Sequence, residues 1–195
     1  MSYFKKTIHD HQAGPAVPDR RRLLTLGAGL VAAGGLSLLG ASPAVSATRQ
    51  RALSFENLHT GETLNITYWA NGRHIPGALA EVNHILRDFR SGDVYPIDVR
   101  LLDLLHRVRR VLETSEPYQI ISGYRSPTTN SRLANQSTGV ARRSLHLVGQ
   151  AIDVRVPDRP LRLLHKAAVA QKSGGVGKYP KSNFVHMDVG RVRYW

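Results

Sequence analysis

The chain has 195 residues, enough for one domain with a full core and barely enough for two. Hydrophobic residues make up 42% and charged residues 21%, which excludes disorder as the default reading, and the absence of cysteine excludes a disulfide scaffold, a zinc ribbon and a thiol nucleophile. The formal net charge of +13 draws the chain to polyanions such as nucleic acid, anionic lipid or anionic wall polymers.

The leading segment reads as an address. Arg20-Arg21-Arg22 precede an apolar stretch from Leu23 to about Gly40, and Ala44-Val45-Ser46-Ala47 offers small residues for cleavage before Thr48. Two arginines followed by x-Leu-Leu, and a stretch rich in Gly and Ala, predict a twin-arginine-type export signal over residues 1–47. The other reading is an uncleaved membrane anchor, for which the apolar stretch is of marginal length. Only five basic and two acidic side chains lie before residue 48, so the excess positive charge belongs to the domain at 48–195. Export to the periplasm or cell envelope makes nucleic acid an unexpected partner and peptidoglycan, with its carboxylated stem peptides, an expected one. Membrane contact is expected only through the leading segment, if it stays attached.

Within the domain, Ser54–Leu58 and Leu64–Trp69 read as a hairpin around Thr60-Gly61-Glu62. Pro76 opens a helix whose apolar positions run Leu79, Val82, Ile85, Leu86 and Phe89, with Gly92 and Asp93 as its end. Asp98 caps a second helix with Leu101, Leu104, Leu105, Val108, Val111 and Leu112 as its stripe. Tyr118–Ser122 is a short buried strand, and residues 126–135 read as a turn and a short helix. Gln150–Val156 is a strand, Leu161–Gln171 a helix, Gly174–Gly177 a strand entry or loop, and Phe184–Val189 the last core strand. The fold class is α+β: a single domain with helices packed on a small antiparallel sheet.

Asp153 sits between Ile152 and Val154 in a strand-like run. Side chains alternate across a strand, so the two apolar neighbours enter the core and Asp153 takes the opposite face. A carboxylate there needs a partner, either a metal ion or an arginine such as Arg125 or Arg155. His146 lies seven residues earlier across Gly149, which permits a sharp bend. His186, between Val185 and Met187, repeats the pattern of a polar residue in an apolar run. If the two strands are neighbours, two imidazoles and one carboxylate face one cleft, which is the ligand set of a catalytic zinc site with an open fourth position. Taken singly, each histidine also reads as a satisfied core or surface residue. His59, His74, His84, His106 and His165 are read as non-ligands.

The run Ser-x-His-x-x-Gly-x-Ala-x-Asp (144–153), followed by a strand with His-x-Asp, resembles the zinc peptidases grouped with lysostaphin, D-Ala-D-Ala carboxypeptidases and the hedgehog signalling domain. The closer resemblance is to the murein endopeptidase K branch. It rests on Ser-Gly-Tyr-Arg-Ser-Pro-Thr-Thr-Asn (122–130), Gly-Gly-Val-Gly-x-Tyr (174–179) and Phe-Val-His-x-Asp-x-Gly (184–190) with a terminal Arg-x-Trp, and spans nearly all of residues 50–195. The resemblance implies His146, Asp153 and His186 as zinc ligands and hydrolysis of amide bonds in peptidoglycan cross-links, including bridges between diaminopimelate residues. Arg125 is a candidate for stabilising the oxyanion or holding a substrate carboxylate, with a structural ion pair as the other reading. Many carboxypeptidase relatives carry an acidic base three residues before the last histidine; here that position is Asn183. Asp188 shares a strand face with His186, so it is the candidate base, or else a residue that orients a ligand. A competing expectation is a wall-binding module that keeps the fold and does not hydrolyse.

Overall fold

The first strand, β1 (Arg51–Asn57), turns through Leu58–Glu62 into β2 (Thr63–Ala70), which makes a further tight turn to β3 (Arg73–His74). These residues belong to a computed structural model that describes residues 50–195 apart from residue 138. The export signal expected over residues 1–47 and its cleavage point lie outside the described residues. Helices α1 (Pro76–Ile85) and α2 (Val99–Leu112) follow, then β4 (Tyr118–Ser122), α3 (Pro127–Gln136) and a 3₁₀ turn over Leu145–Val148. The chain continues through β5 (Ala151–Arg155), α4 (Leu161–Ala170), β6 (Gly175–Tyr179), β7 (Phe184–Asp188) and β8 (Arg193–Tyr194). Among the described residues, no helix is long and apolar enough to cross a membrane.

Among the described residues, all eight strands form one sheet in the order β3-β2-β1-β4-β5-β7-β6-β8. The α+β class expected from the sequence is the observed one, but the sheet is larger than expected and not purely antiparallel. β1 pairs with β4 in parallel, and β6 with β8. A parallel pair needs a crossover, and the stretch holding α1 and α2 supplies the one between β1 and β4. The two-residue strands β3 and β8 at the edges carry no period of their own, so the sequence pattern passes over them.

Helix α2 supplies much of the core. Its N-terminus is capped by Asp98, whose carboxylate accepts the Arg100 amide, and it ends where Glu113 takes a left-handed conformation. Leu101, Leu102, Leu104, Leu105, Val108 and Leu112 are buried. Each such leucine stabilises the fold by roughly 2 kcal/mol through burial, so Leu105→Asp would both forfeit that and strand a charge. The stripe differs from expectation at two places: Leu102 is buried, and Val111 stands exposed beside the groove between α2 and α4.

Helix α1 stops at Ile85 rather than running on to Phe89. The Leu86 carbonyl does not continue the helix ladder; it accepts the Tyr124 amide at 2.7 Å. Gly123 permits this approach, because a Cβ there would lie 2.4 Å from the same carbonyl oxygen. The chain beyond turns over Asp88, which accepts the amides of Arg90 and Ser126. That contact fixes the start of α3, where Ser126 caps the amide of Thr129. Helix α3 is ten residues long, more than the short turn-and-helix read from its polar sequence.

Candidate metal centre and active site

β5 and β7 are antiparallel neighbours, and Asp153 lies directly opposite His186. Ile152, Val154, Val185 and Met187 fill the core on one face, as alternation requires. Asp153 and His186 therefore emerge together on the other face. His146 reaches them from the 3₁₀ turn, which Ser144 caps by accepting the His146 amide. Gly149 ends that turn at φ +65 and passes so close to Pro96 that a Cβ would sit 2.2 Å from its carbonyl oxygen. The bend expected at Gly149 is thus a left-handed turn that only glycine can make in this space.

One donor atom from each of His146, Asp153 and His186 lies within 4.8 Å of the others. His146 Nε2 is 3.3 Å from His186 Nδ1 and 3.4 Å from Asp153 Oδ2, while His186 Nδ1 is 2.8 Å from Asp153 Oδ1. Bonds of about 2.0–2.1 Å from a tetrahedral zinc ion put its ligands about 3.3 Å apart, so the spacing suits such an ion. The tautomers suit it too. His146 Nδ1 donates to the Gly123 carbonyl at 2.7 Å, which leaves Nε2 with its lone pair towards the centre. His186 Nε2 donates to Asp188 Oδ2 at 3.1 Å, which turns Nδ1 inward. Hydrogen bonds on the far side of each ring are the usual means of orienting metal-binding imidazoles. The other histidines among the described residues do not join this cluster; His59, for example, bonds the Ile121 carbonyl and stacks on Phe89.

Electrostatics bind the three groups together. Burial works to raise the pKa of Asp153, but the imidazoles of His146 and His186 outweigh it and hold the carboxyl well below the usual range. Burial works to lower that of His186, and the carboxylates of Asp153 and Asp188 reverse this, pushing it up to about 9. Two carboxylates on one imidazole favour positive charge at this point.

Arg125 approaches the same carboxylate, with a guanidinium nitrogen 3.7 Å from Asp153 Oδ2. It is held by Asn130 and Ser122 on the side away from the cleft. Its Nε is buried without a partner. Arg125 thus stands in the wall of the cleft, beside the donor cluster.

Asp188 lies behind His186 rather than in front of it. It is fully buried, and Oδ1 accepts the amides of Gly175 and Gly190 at 2.9 Å each. Oδ2 accepts hydrogen bonds from His186 Nε2 and, at 2.7 Å, from the Arg193 guanidinium. Burial favours its neutral form, but these donors prevail and hold its pKa well below the usual range. A carboxylate so occupied and so far from solvent is geometrically placed to orient His186, the second of the two roles read for it, and has no free lone pair aimed at the cleft. Asn183 sits in a turn at φ +53 and lines a different cavity, beside Gln119 and Arg155.

A cleft of about 240 Å³ opens over the donor cluster. Sequence reasoning missed part of its wall: Tyr179, Phe184, Arg193 and Trp195. The signal for Tyr179 and Phe184 was available in strand parity, since they share a face with Gly177 and His186. Trp195 is brought in by β8, an element too short to read. Among the described residues lining the cleft, Asp153 is the sole carboxylate.

The arrangement agrees with what the chain is similar to. A family model described as peptidoglycan L,D-endopeptidase MepK matches residues 45–195. The peptidoglycan L,D-endopeptidase MepK of Escherichia coli K12 is 42% identical over 177 residues, which is 91% of this chain and 97% of that protein. The protein of the same name from Shigella flexneri matches to the same extent. A probable peptidoglycan L,D-endopeptidase MepK of Haemophilus influenzae is 36% identical over 180 residues, 91% of this chain and 95% of that one. A match that runs the length of the domain, together with relatives this similar over nine-tenths of the sequence, shows that the chain belongs to the peptidoglycan L,D-endopeptidase MepK family.

Proposed function

We propose that this chain is a zinc-dependent endopeptidase that hydrolyses L,D amide bonds in the peptide cross-links of peptidoglycan. The observation that carries the reading is the convergence of His146 Nε2, His186 Nδ1 and an Asp153 oxygen, with both imidazole tautomers fixed from behind by Gly123 and Asp188. These three residues would hold the ion. Bound there, zinc supplies an acidified water and polarises the scissile carbonyl.

The chain's own residues do the rest. Asp153 balances the charge of the centre, and Asp188 keeps the His186 lone pair inward. Arg125, in the cleft wall beside Asp153, holds either the oxygen of the scissile carbonyl or a substrate carboxylate. Arg143 and Arg193 add positive charge to the cleft wall, which suits diaminopimelate bridges and their carboxylates. The basic domain and the leading twin-arginine pattern support a reading in which this work is done outside the cytoplasm, in the periplasm or cell envelope, after cleavage near Ala47. Nucleic acid has no part in it.

The test is a mass profile of muropeptides from cross-linked peptidoglycan incubated with the purified protein. Cross-linked species should disappear, chelator should stop the loss and added zinc should restore it. Persistence of every cross-link in the presence of zinc would leave the second reading, a non-catalytic wall-binding module. That reading has one structural point in its favour: among the described residues, no carboxylate besides Asp153 lines the cleft to serve as a base.

A further inference from the structure

The strand next to His186 presents an unassigned hydroxyl to the cleft. Gly177 lies opposite His186 and Tyr179 opposite Phe184 in the β6–β7 pair, so all four share the cleft face. Trp195 is fixed above them by its backbone, which donates to Val176 and accepts from Lys178. Its indole lies over Gly177, where a Cβ would come within 2.4 Å of the ring. The same indole is 5.4 Å from the His186 ring, and its Nε1 donates to the Tyr179 hydroxyl at 2.8 Å. On its other side the Tyr179 ring stacks on Phe184 at 4.6 Å. The phenol is therefore clamped in place. Its oxygen already accepts a hydrogen bond, and its own proton has no acceptor among the described residues.

We infer that the Tyr179 hydroxyl is a catalytic donor that binds the scissile carbonyl oxygen as it becomes anionic, with Trp195 as the positioning residue that aims it. This rests on the endopeptidase reading above. The phenol keeps its proton throughout and no bond to Tyr179 forms or breaks; its contribution is a hydrogen bond that strengthens as charge develops. The indole N–H sharpens that bond twice over. It fixes the hydroxyl oxygen, and by donating to it polarises the remaining O–H. The glycine at 177 is the residue that lets the indole lie flat enough to reach.

The test compares wild type, Tyr179→Phe and Trp195→Phe as zinc-loaded proteins on a cross-linked muropeptide. Tyr179→Phe keeps the stack on Phe184 and should lower kcat roughly 100-fold, with KM within about twofold. Trp195→Phe removes the N–H together with part of the ring over Gly177 and should lower kcat by roughly tenfold, again without raising KM. A second readout is binding of a phosphinate analogue of the cross-link, which carries a tetrahedral anion. Its affinity should fall in Tyr179→Phe by about the factor lost in kcat, while affinity for an uncleavable ground-state analogue and the zinc content stay unchanged. Wild-type kcat in Tyr179→Phe overturns the inference alone, as does equal loss of affinity for both analogues. Failure of wild type to cut any cross-link overturns the inference and the endopeptidase reading together.

Discussion

His186 Nε2 donates to Asp188 Oδ2 at 3.1 Å, and this single bond decides which nitrogen of the ring faces Asp153. Asp188 in turn is held by two backbone amides and Arg193, so it cannot swing away. In Asp188→Asn the side chain keeps its shape but loses its charge. An amide nitrogen must also face a donor that the carboxylate had accepted, whichever way the amide is flipped. Zinc affinity should weaken about 10- to 100-fold, measured by chelator competition, and excess zinc should restore most of the hydrolysis. Unchanged zinc affinity with lost turnover would instead make Asp188 the base.

The proton on His186 competes with a metal for the same lone pair. With the imidazole pKa pushed up to about 9, zinc binding must displace one proton at every pH below that. Zinc affinity should therefore rise about tenfold per pH unit towards pH 9, in excess of the buffer's own zinc binding, and level off above it. The chelated protein should behave in the opposite sense. Its charged His186 contributes stability that is fully present below the ordinary value of 6.5 and is lost as pH rises through about 9. Thermal melts of the chelated protein across this window test the second half. A melting temperature that climbs from pH 6.5 to 9 would contradict the ion-pair account of His186.

The parts of the site that were legible in the sequence are those set by local rules. Asp153 and His186 each interrupt an apolar run, so strand parity alone puts them off the core. His146 was legible through Gly149, because a glycine between a histidine and a strand marks a bend. Asp188 shows where local rules stop. Parity puts it on the face of His186, but its burial is set by Gly175, Gly190 and Arg193, which come from β6, the loop after β7 and β8. The same holds for helix α1, which a distant amide at Tyr124 ends early. Parallel pairing between β1 and β4 is likewise a tertiary choice that no strand period encodes.

Gly149 offers a test of the bend itself. An alanine there would adopt a left-handed conformation at about 1–2 kcal/mol and push its Cβ against the Pro96 carbonyl. Because the Gly149 carbonyl also accepts the Asp98 amide, relief of the clash would disturb the cap of α2. Gly149→Ala should cost at least about 2 kcal/mol in denaturant unfolding and weaken zinc binding, since the turn carrying His146 must shift. Gly77→Ala is the control. It lies in the first turn of α1 with nothing near its Cβ, and should be neutral or stabilising by about 0.5 kcal/mol. Equal stability of the two variants would refute the claim that this bend needs glycine.

Arg125 separates a chemical role from a structural one. Its guanidinium spans Asn130, Ser122 and the neighbourhood of Asp153 at once, a fork that the point charge of lysine cannot reproduce. Lysine would still keep a cation beside Asp153, so the charge balance of the centre survives in Arg125→Lys. If the guanidinium binds the developing oxyanion or a substrate carboxylate, kcat/KM should fall about 100-fold while zinc affinity stays within a few-fold. The split then assigns the contact. A fall in kcat at constant KM marks the oxyanion, and a rise in KM marks a carboxylate held equally in the ground state. A lower melting temperature with wild-type kcat/KM for the folded fraction would show that the arginine serves only to tie α3 to β4.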